Sequence, residues 1–307
     1  MMRMIKAIYV AIVLMLSAAV PAAAGLLEDA VAAYDKGEFT TALRLWRRLA
    51  DQGDALAQIK VGSMYAEAVG VPRDYVEAMK WFRRAADQGS ARAQFDVGTM
   101  YDSGQGVPQS FPEAVKWYRL AAAQGYADAQ YHLGLMHAEG RGVAKSDAEA
   151  MKWYGLAAEQ GHAGAQFNLA LGYAKGQGVQ QNDFEAVKWV TLAAKQGHVL
   201  AQYNLGIIYA NGRGVAQNDA EAAKWYRLAA EQGYGLAQSS LGLQYNRGRG
   251  VPRDDVQALM WLNLAAARGD SKAMGTRNAV AQQMTPAQVA EAQKLSREWK
   301  PTMKRPR

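Results

Sequence analysis

The chain contains no cysteine and only four histidines among its 307 residues. Without cysteine there is no disulfide framework, no thiolate metal site, no thiol nucleophile and no N-terminal cysteine for lipid attachment. A strong excess of one charge is also missing. The formal net charge is +7, and two of the basic residues, Arg3 and Lys6, sit at the extreme N-terminus. Setting those two aside leaves 33 basic against 28 acidic residues, with no polybasic block before the last few positions. That pattern argues against a nucleic-acid partner. Nor is there an apolar run long enough to span a membrane. The longest, Ala7 to Val20, has 14 residues, against the roughly 18 a spanning helix needs.

That short run has a different meaning. Arg3 and Lys6 precede it, and Pro21-Ala22-Ala23-Ala24 follows it. A positive n-region, an apolar h-region and small residues at an Ala-x-Ala site make a cleavable signal peptide. Residues 1–24 are therefore expected to direct export and be removed. The mature chain is expected to be periplasmic or secreted, with no stable membrane anchor after cleavage. Export to that side makes cytosolic cofactors such as ATP unexpected, and no cofactor is assigned.

Half of the residues are apolar, enough for a packed core. Their arrangement is periodic. Trp81, Trp117, Trp153, Trp189, Trp225 and Trp261 recur every 36 residues, as do Gly89, Gly125, Gly161, Gly197, Gly233 and Gly269. Gln94, Gln130, Gln166, Gln202 and Gln238 keep the same step. Whole phrases repeating at one period mark a repeat array. In the clearest copy, residues 199–233, Ala201, Leu205, Ile208 and Tyr209 form a helical stripe. The link Asn211-Gly-Arg-Gly-Val215 supplies glycines suited to a helix C-terminus. Asp219, with Asn218 before it, is expected to cap a second helix carrying Ala222, Trp225 and Ala229. Alanine at 78, 114, 150, 186, 222 and 258, and glycine at 62, 98, 134, 206 and 242 with Ala170 as the exception, would let paired helices approach closely. The Trp would fill the space between neighbouring pairs.

These phrases resemble the Sel1-like repeat, a relative of the tetratricopeptide repeat. The resemblance rests on Ala201…Leu205-Gly206…Tyr209, on Gly212-Arg-Gly214-Val215, and on Ala222…Trp225…Ala229-Ala230…Gly233. It implies an all-α fold, a right-handed superhelical solenoid of antiparallel helix pairs. The expected organisation is an N-terminal capping pair over residues 25–54, six repeats over 55–270 and a C-terminal capping pair over 271–299. Thr285-Pro286 would start the last helix, and residues 300–307 would form a basic solvated tail.

Convergent chemistry is scarce. His162 and His198 share one slot, also filled by Ser90, Tyr126, Tyr234 and Asp270, and read as loop residues. His132 and His137 are five apart and fall on different faces, without the four-step His-Glu-x-x-His spacing of a metal site. The Gly-x-Gly phrases follow helices rather than strands and lack the Lys-Ser/Thr of phosphate loops. No catalytic residue and no metal ligand is assigned. Pairs such as Glu221 with Lys224 read as a solvated face.

Aligned to the tetratricopeptide pattern, the first helices would line a concave face. The resemblance places Phe95, Tyr131, Phe167 and Tyr203 there as an aromatic ladder, between Ile59 and Ser239. His132, Asn168 and Asn204 stand beside it, in a polar column with Asp96 and Ser240. Rings flanked by amides suit a protein segment, with a polysaccharide or peptidoglycan as the alternative ligand. The resemblance implies a non-catalytic scaffold or adaptor of the bacterial envelope. Some cysteine-rich members of the family are described as β-lactamases, but this chain has none of those cysteines, which weighs against a cell-wall or β-lactam hydrolase.

Overall fold

The computed structural model describes residues 25–302; the expected signal peptide lies outside the described residues. Every regular element among the described residues is a helix. The chain divides into two compact units, one up to Lys145 and one from Ser146 onward. The first holds α1 (residues 25–35), α2 (Phe39–Asp51), α3 (Ala55–Glu67), α4 (Tyr75–Asp87), α5 (Ala91–Ser103), α6 (Phe111–Ala123) and α7 (Ala127–Glu139). The second holds α8 (Asp147–Glu159), α9 (Ala163–Lys175), α10 (Asp183–Lys195), α11 (Val199–Asn211) and α12 (Asp219–Glu231). It continues with α13 (Gly235–Arg247), α14 (Asp255–Ala266), α15 (Ser271–Gln282) and α16 (Pro286–Glu298). From α2 to α7 and from α8 to α15, helices adjacent in sequence pack on one another, and α16 packs on α14, as in a solenoid of helix pairs.

The repeat phrase acquires physical causes here. In unit 2 the in-helix Gly206 faces the Tyr226 ring, and a Cβ there would come within 2.5 Å of it. The first glycine of each link closes its helix in the left-handed conformation, as Gly212 does at φ +71°. The second glycine lies against the start of the preceding second helix. At Gly106 (φ +72°) a Cβ would fall 2.3 Å from the Tyr75 carbonyl oxygen. In the earliest repeat the first-glycine slot holds Ala68, the one non-glycine residue with positive φ among the described residues.

The second helices start one residue earlier than the sequence suggests. Asn218, not Asp219, is the N-cap, and its side chain accepts from the Glu221 N–H (3.0 Å). Asp219 is the first helical residue, where a carboxylate also favours the helix dipole. Asp74, Ser110, Ser146, Asn182 and Asp254 cap the other second helices in the same way.

Within each unit, apolar burial joins one repeat to the one before. Trp81 packs with Leu49, Val61 and Met64, and Trp225 with Phe167, Val190 and Leu205. Alongside this core runs a buried polar seam. Gln58, Gln94, Gln166, Gln202 and Gln238 each donate to the carbonyl eight residues earlier. Each also accepts from the residue thirty positions on. That donor is Gln88, Gln124, Gln196 or Gln232 at 2.7–2.8 Å, and Arg268 at 2.6 Å for Gln238. The glutamines thus satisfy the carbonyls at the ends of the second helices, which have no partner within their own helix.

At the C-terminal end Thr285 and Gln288 form a reciprocal capping box. Trp299 packs edge-on against Trp261, with ring centroids 6.1 Å apart, and the Arg268 guanidinium lies over its ring. The tail begins tied down rather than free, because the Thr302 N–H donates to the Glu231 carbonyl (2.8 Å).

Candidate functional site

In unit 1 the ladder residue Phe95 sits on α5 and is half-buried. Its ring lies 5.3 Å from Tyr126, 5.6 Å from Tyr118 and 5.2 Å from His132. Tyr131 stands edge-on to His132, with centroids 5.7 Å apart. The three expected site residues of this unit therefore meet in one ring cluster, at offset and edge-on geometries favourable to aromatic pairs.

Asp96 occupies the polar column beside Phe95 and is paired with Arg92, whose Nε lies 3.1 Å from each carboxylate oxygen. Burial outweighs that guanidinium and pushes the Asp96 carboxyl up to about 6, with Asp128 and Glu67 adding smaller raising effects.

In unit 2 Phe167 is buried, within the cluster that contains Val190, Leu205 and Trp225. Its ring stacks on His198 at 4.8 Å. Tyr203 is half-buried and lies 5.1 Å from Tyr234 and 5.8 Å from Tyr226. Asn168 and Asn204 are half-buried, and the Asn204 amide donates to the Leu200 carbonyl (2.8 Å). Leu200 and Leu236, 41% and 48% exposed, stand one turn before Tyr203 and Ser239. Exposed leucine, ring and amide thus share one strip along α11, and α13 repeats the exposed leucine.

Tyr126, His198 and Tyr234 were legible only as loop residues. Each is the N-cap residue of the next first helix, and each places its ring against a ladder ring one repeat back. The signal was present in the 36-residue period. Rings in this slot accompany rings in the ladder slot, whereas at the ends Ser90 accompanies Ile59 and Asp270 accompanies Ser239. His198 also caps α11, its Nδ1 accepting from the Ala201 N–H at 3.2 Å. Burial, aided by the nearby His162 charge, lowers its pKa, which keeps Nδ1 available as an acceptor. Burial pushes the Tyr226 phenol up to about 12, so it remains protonated.

Among the described residues no three His, Cys, Asp or Glu side chains gather to hold a metal ion. No helix among them is long and apolar enough to cross a membrane.

Seven consecutive stretches match the Sel1 repeat: residues 35–54, 55–90, 91–126, 127–162, 163–198, 199–234 and 235–270. The chain belongs to the Sel1 repeat family. Sel1 repeats generally mediate protein binding, and the Sel1 solenoid fold is typically that of an interaction scaffold.

Two solved structures are close in both sequence and fold. One is a protective antigen present in uropathogenic Escherichia coli strains, displaying an SLR fold. It is 38% identical with a TM-score of 0.76, over 83% of this chain and 56% of that one. The present chain thus spans little more than half the length of that relative. The other is a Sel1 repeat protein from Oxalobacter formigenes, 36% identical with a TM-score of 0.73, over 78% of this chain and 99% of that one. No protein of curated function matches the chain.

Proposed function

We propose that this Sel1 repeat chain is a non-catalytic scaffold of the bacterial cell envelope. In this reading residues 1–24 direct its export, and the first helices bind a protein partner along their concave face. The observation that carries the reading is the strip of Leu200, Tyr203 and Asn204, with Leu236 repeating the leucine. Exposed apolar side chains next to rings and amides form the kind of patch that marks a protein interface. The likeness to a protective antigen agrees with a place outside the cytoplasm.

A glycan is the competing ligand, since sugars also stack on rings beside amides. The ring packing favours a protein. Phe167 is covered by His198 and Phe95 is surrounded by three rings, so fewer ring faces are left for a sugar.

The test is a pull-down from envelope extract with residues 25–307, beside a variant carrying alanine at Phe95, Tyr131, Phe167 and Tyr203. Circular dichroism confirms that the variant is helical. A protein retained by the parent and lost by the folded variant supports the reading. Capture of no protein, together with binding on a glycan array, replaces it with glycan recognition.

A further inference from the structure

One slot on the second helices holds Phe82, Tyr118, Tyr154, Val190, Tyr226 and Leu262 in successive repeats. Where a ring fills it, as at Phe82, Tyr118 and Tyr226, the first helix opposite carries glycine at 62, 98 and 206, against the ring edge. Val190 is the smallest residue of the series, and Ala170 stands in the glycine slot facing it. One added methyl does not replace a phenol, and a cavity of about 250 Å³ opens between α9, α10 and α11. Phe167, Ala170, Val187, Val190 and Ile208 give it apolar walls.

Its size selects the occupant. Whole small-molecule ligands occupy pockets of about 300–1,000 Å³, so this one suits a single side chain. The mouth adds a charge preference. Arg213 at the rim is held by Asp183 (2.8 Å) and by the Ala174 carbonyl (2.6 Å). Lys175, exposed in the last turn of α9, leaves the rim with a net positive charge. Phe184, 77% exposed, lies one turn before Val187 on α10.

We propose that the Val190 cavity is an anchor pocket for an aromatic side chain of the partner protein, presented next to an acidic residue that meets Lys175. The inference rests on the scaffold reading and names the chemistry its partner must carry. The repeat lacks its own ring, and the partner supplies it. A buried aromatic anchor in a closely fitting pocket is the usual source of most of an interface's affinity.

The ¹⁵N-labelled full chain is titrated with p-cresol and with the peptide acetyl-Gly-Asp-Tyr-Glu-Gly-amide. The same peptide with alanine for tyrosine, or lysines for the acids, serves as a control. The competing variant is Val190→Tyr with Ala170→Gly, which restores the Tyr226/Gly206 arrangement and fills the cavity from within. Amides of Ala174, Val190, Asn204 and Ile208 are expected to shift saturably with the acidic tyrosine peptide. Affinity is expected to fall about tenfold or more for the control peptides and for the double variant. Should that variant misfold, Ala174→Leu narrows the pocket from α9 and is expected to weaken binding likewise. No localised shift in the parent, or equal shifts in a folded filled variant, overturns the proposal. Capture of one envelope protein equally by parent and filled variant overturns the pocket and leaves the scaffold standing. Peptide binding here without any envelope partner supports the pocket and removes the scaffold reading.

Discussion

Removing one glutamine from the buried seam should loosen the array more than its surface ion pairs would. Gln202 is 5% exposed. It donates to the Ala194 carbonyl at 3.1 Å and accepts from Gln232 Nε2 at 2.7 Å. Gln202→Leu keeps the volume and removes both bonds. Each is worth about 0.5–1.5 kcal/mol net. The Ala194 carbonyl keeps its bond from the Gly197 N–H, and Gln232 keeps the Gly197 carbonyl, so neither group is orphaned. The expected loss is about 1–2 kcal/mol. Gln232→Leu breaks the shared bond as well as its own to Gly197, and the two substitutions together should cost less than their sum by about 1 kcal/mol. A repeat array need not unfold in one step, so the assay is native-state hydrogen exchange of α11 and α12 amides. Additivity within about 0.3 kcal/mol, the figure for independent sites, would refute the reading of the seam as the coupling between repeats.

Three further outcomes follow from single sites. Ala68 holds a left-handed conformation at φ +61°, so Ala68→Gly should stabilise the first repeat by about 0.5–1 kcal/mol, seen as a raised denaturation midpoint. Asp96 has a carboxyl pushed up to about 6, above its unfolded value. Its folded form therefore holds the proton more tightly, and the stability this gives is present below about pH 4 and lost as pH rises through 6. Asp96→Asn should therefore be more stable than the parent near pH 7.5, by about 1–3 kcal/mol, with the difference vanishing near pH 4 in urea titrations. Trp299→Ala should release α16, raising exchange in α14 and α16, because the ring packs on Trp261 and under Arg268; unchanged protection there would contradict its capping role.

The fold was legible because each repeat states the same packing problem six times. Trp, alanine and glycine slots at one period are steric requirements, and the structure meets them with the Trp225 cluster and the Gly206–Tyr226 contact. The glutamine period was equally visible, but its meaning was not. The partner of Gln202 sits thirty residues on, a separation set by how repeats stack rather than by any local pattern. The site was read from one helix alone. That reading named Phe95, Phe167 and Tyr203 but not the rings of Tyr126, His198 and Tyr234, which pack against them from the next repeat. The Val190 cavity, lined also by Ala170 and Ile208, is a product of packing that no local pattern marks.

The central claim, that the first-helix face binds a protein, is tested most directly by measuring melting temperature and partner capture on two variants side by side. Trp225 is 8% exposed within the core, so Trp225→Ala should lose about 3–5 kcal/mol and lower the melting temperature strongly. Tyr203, half-exposed, should lose much less when changed to alanine, yet capture of the envelope protein should fall sharply. If Tyr203→Ala instead lowers the melting temperature as far as Trp225→Ala and leaves capture intact, the ladder is packing and the partner binds elsewhere.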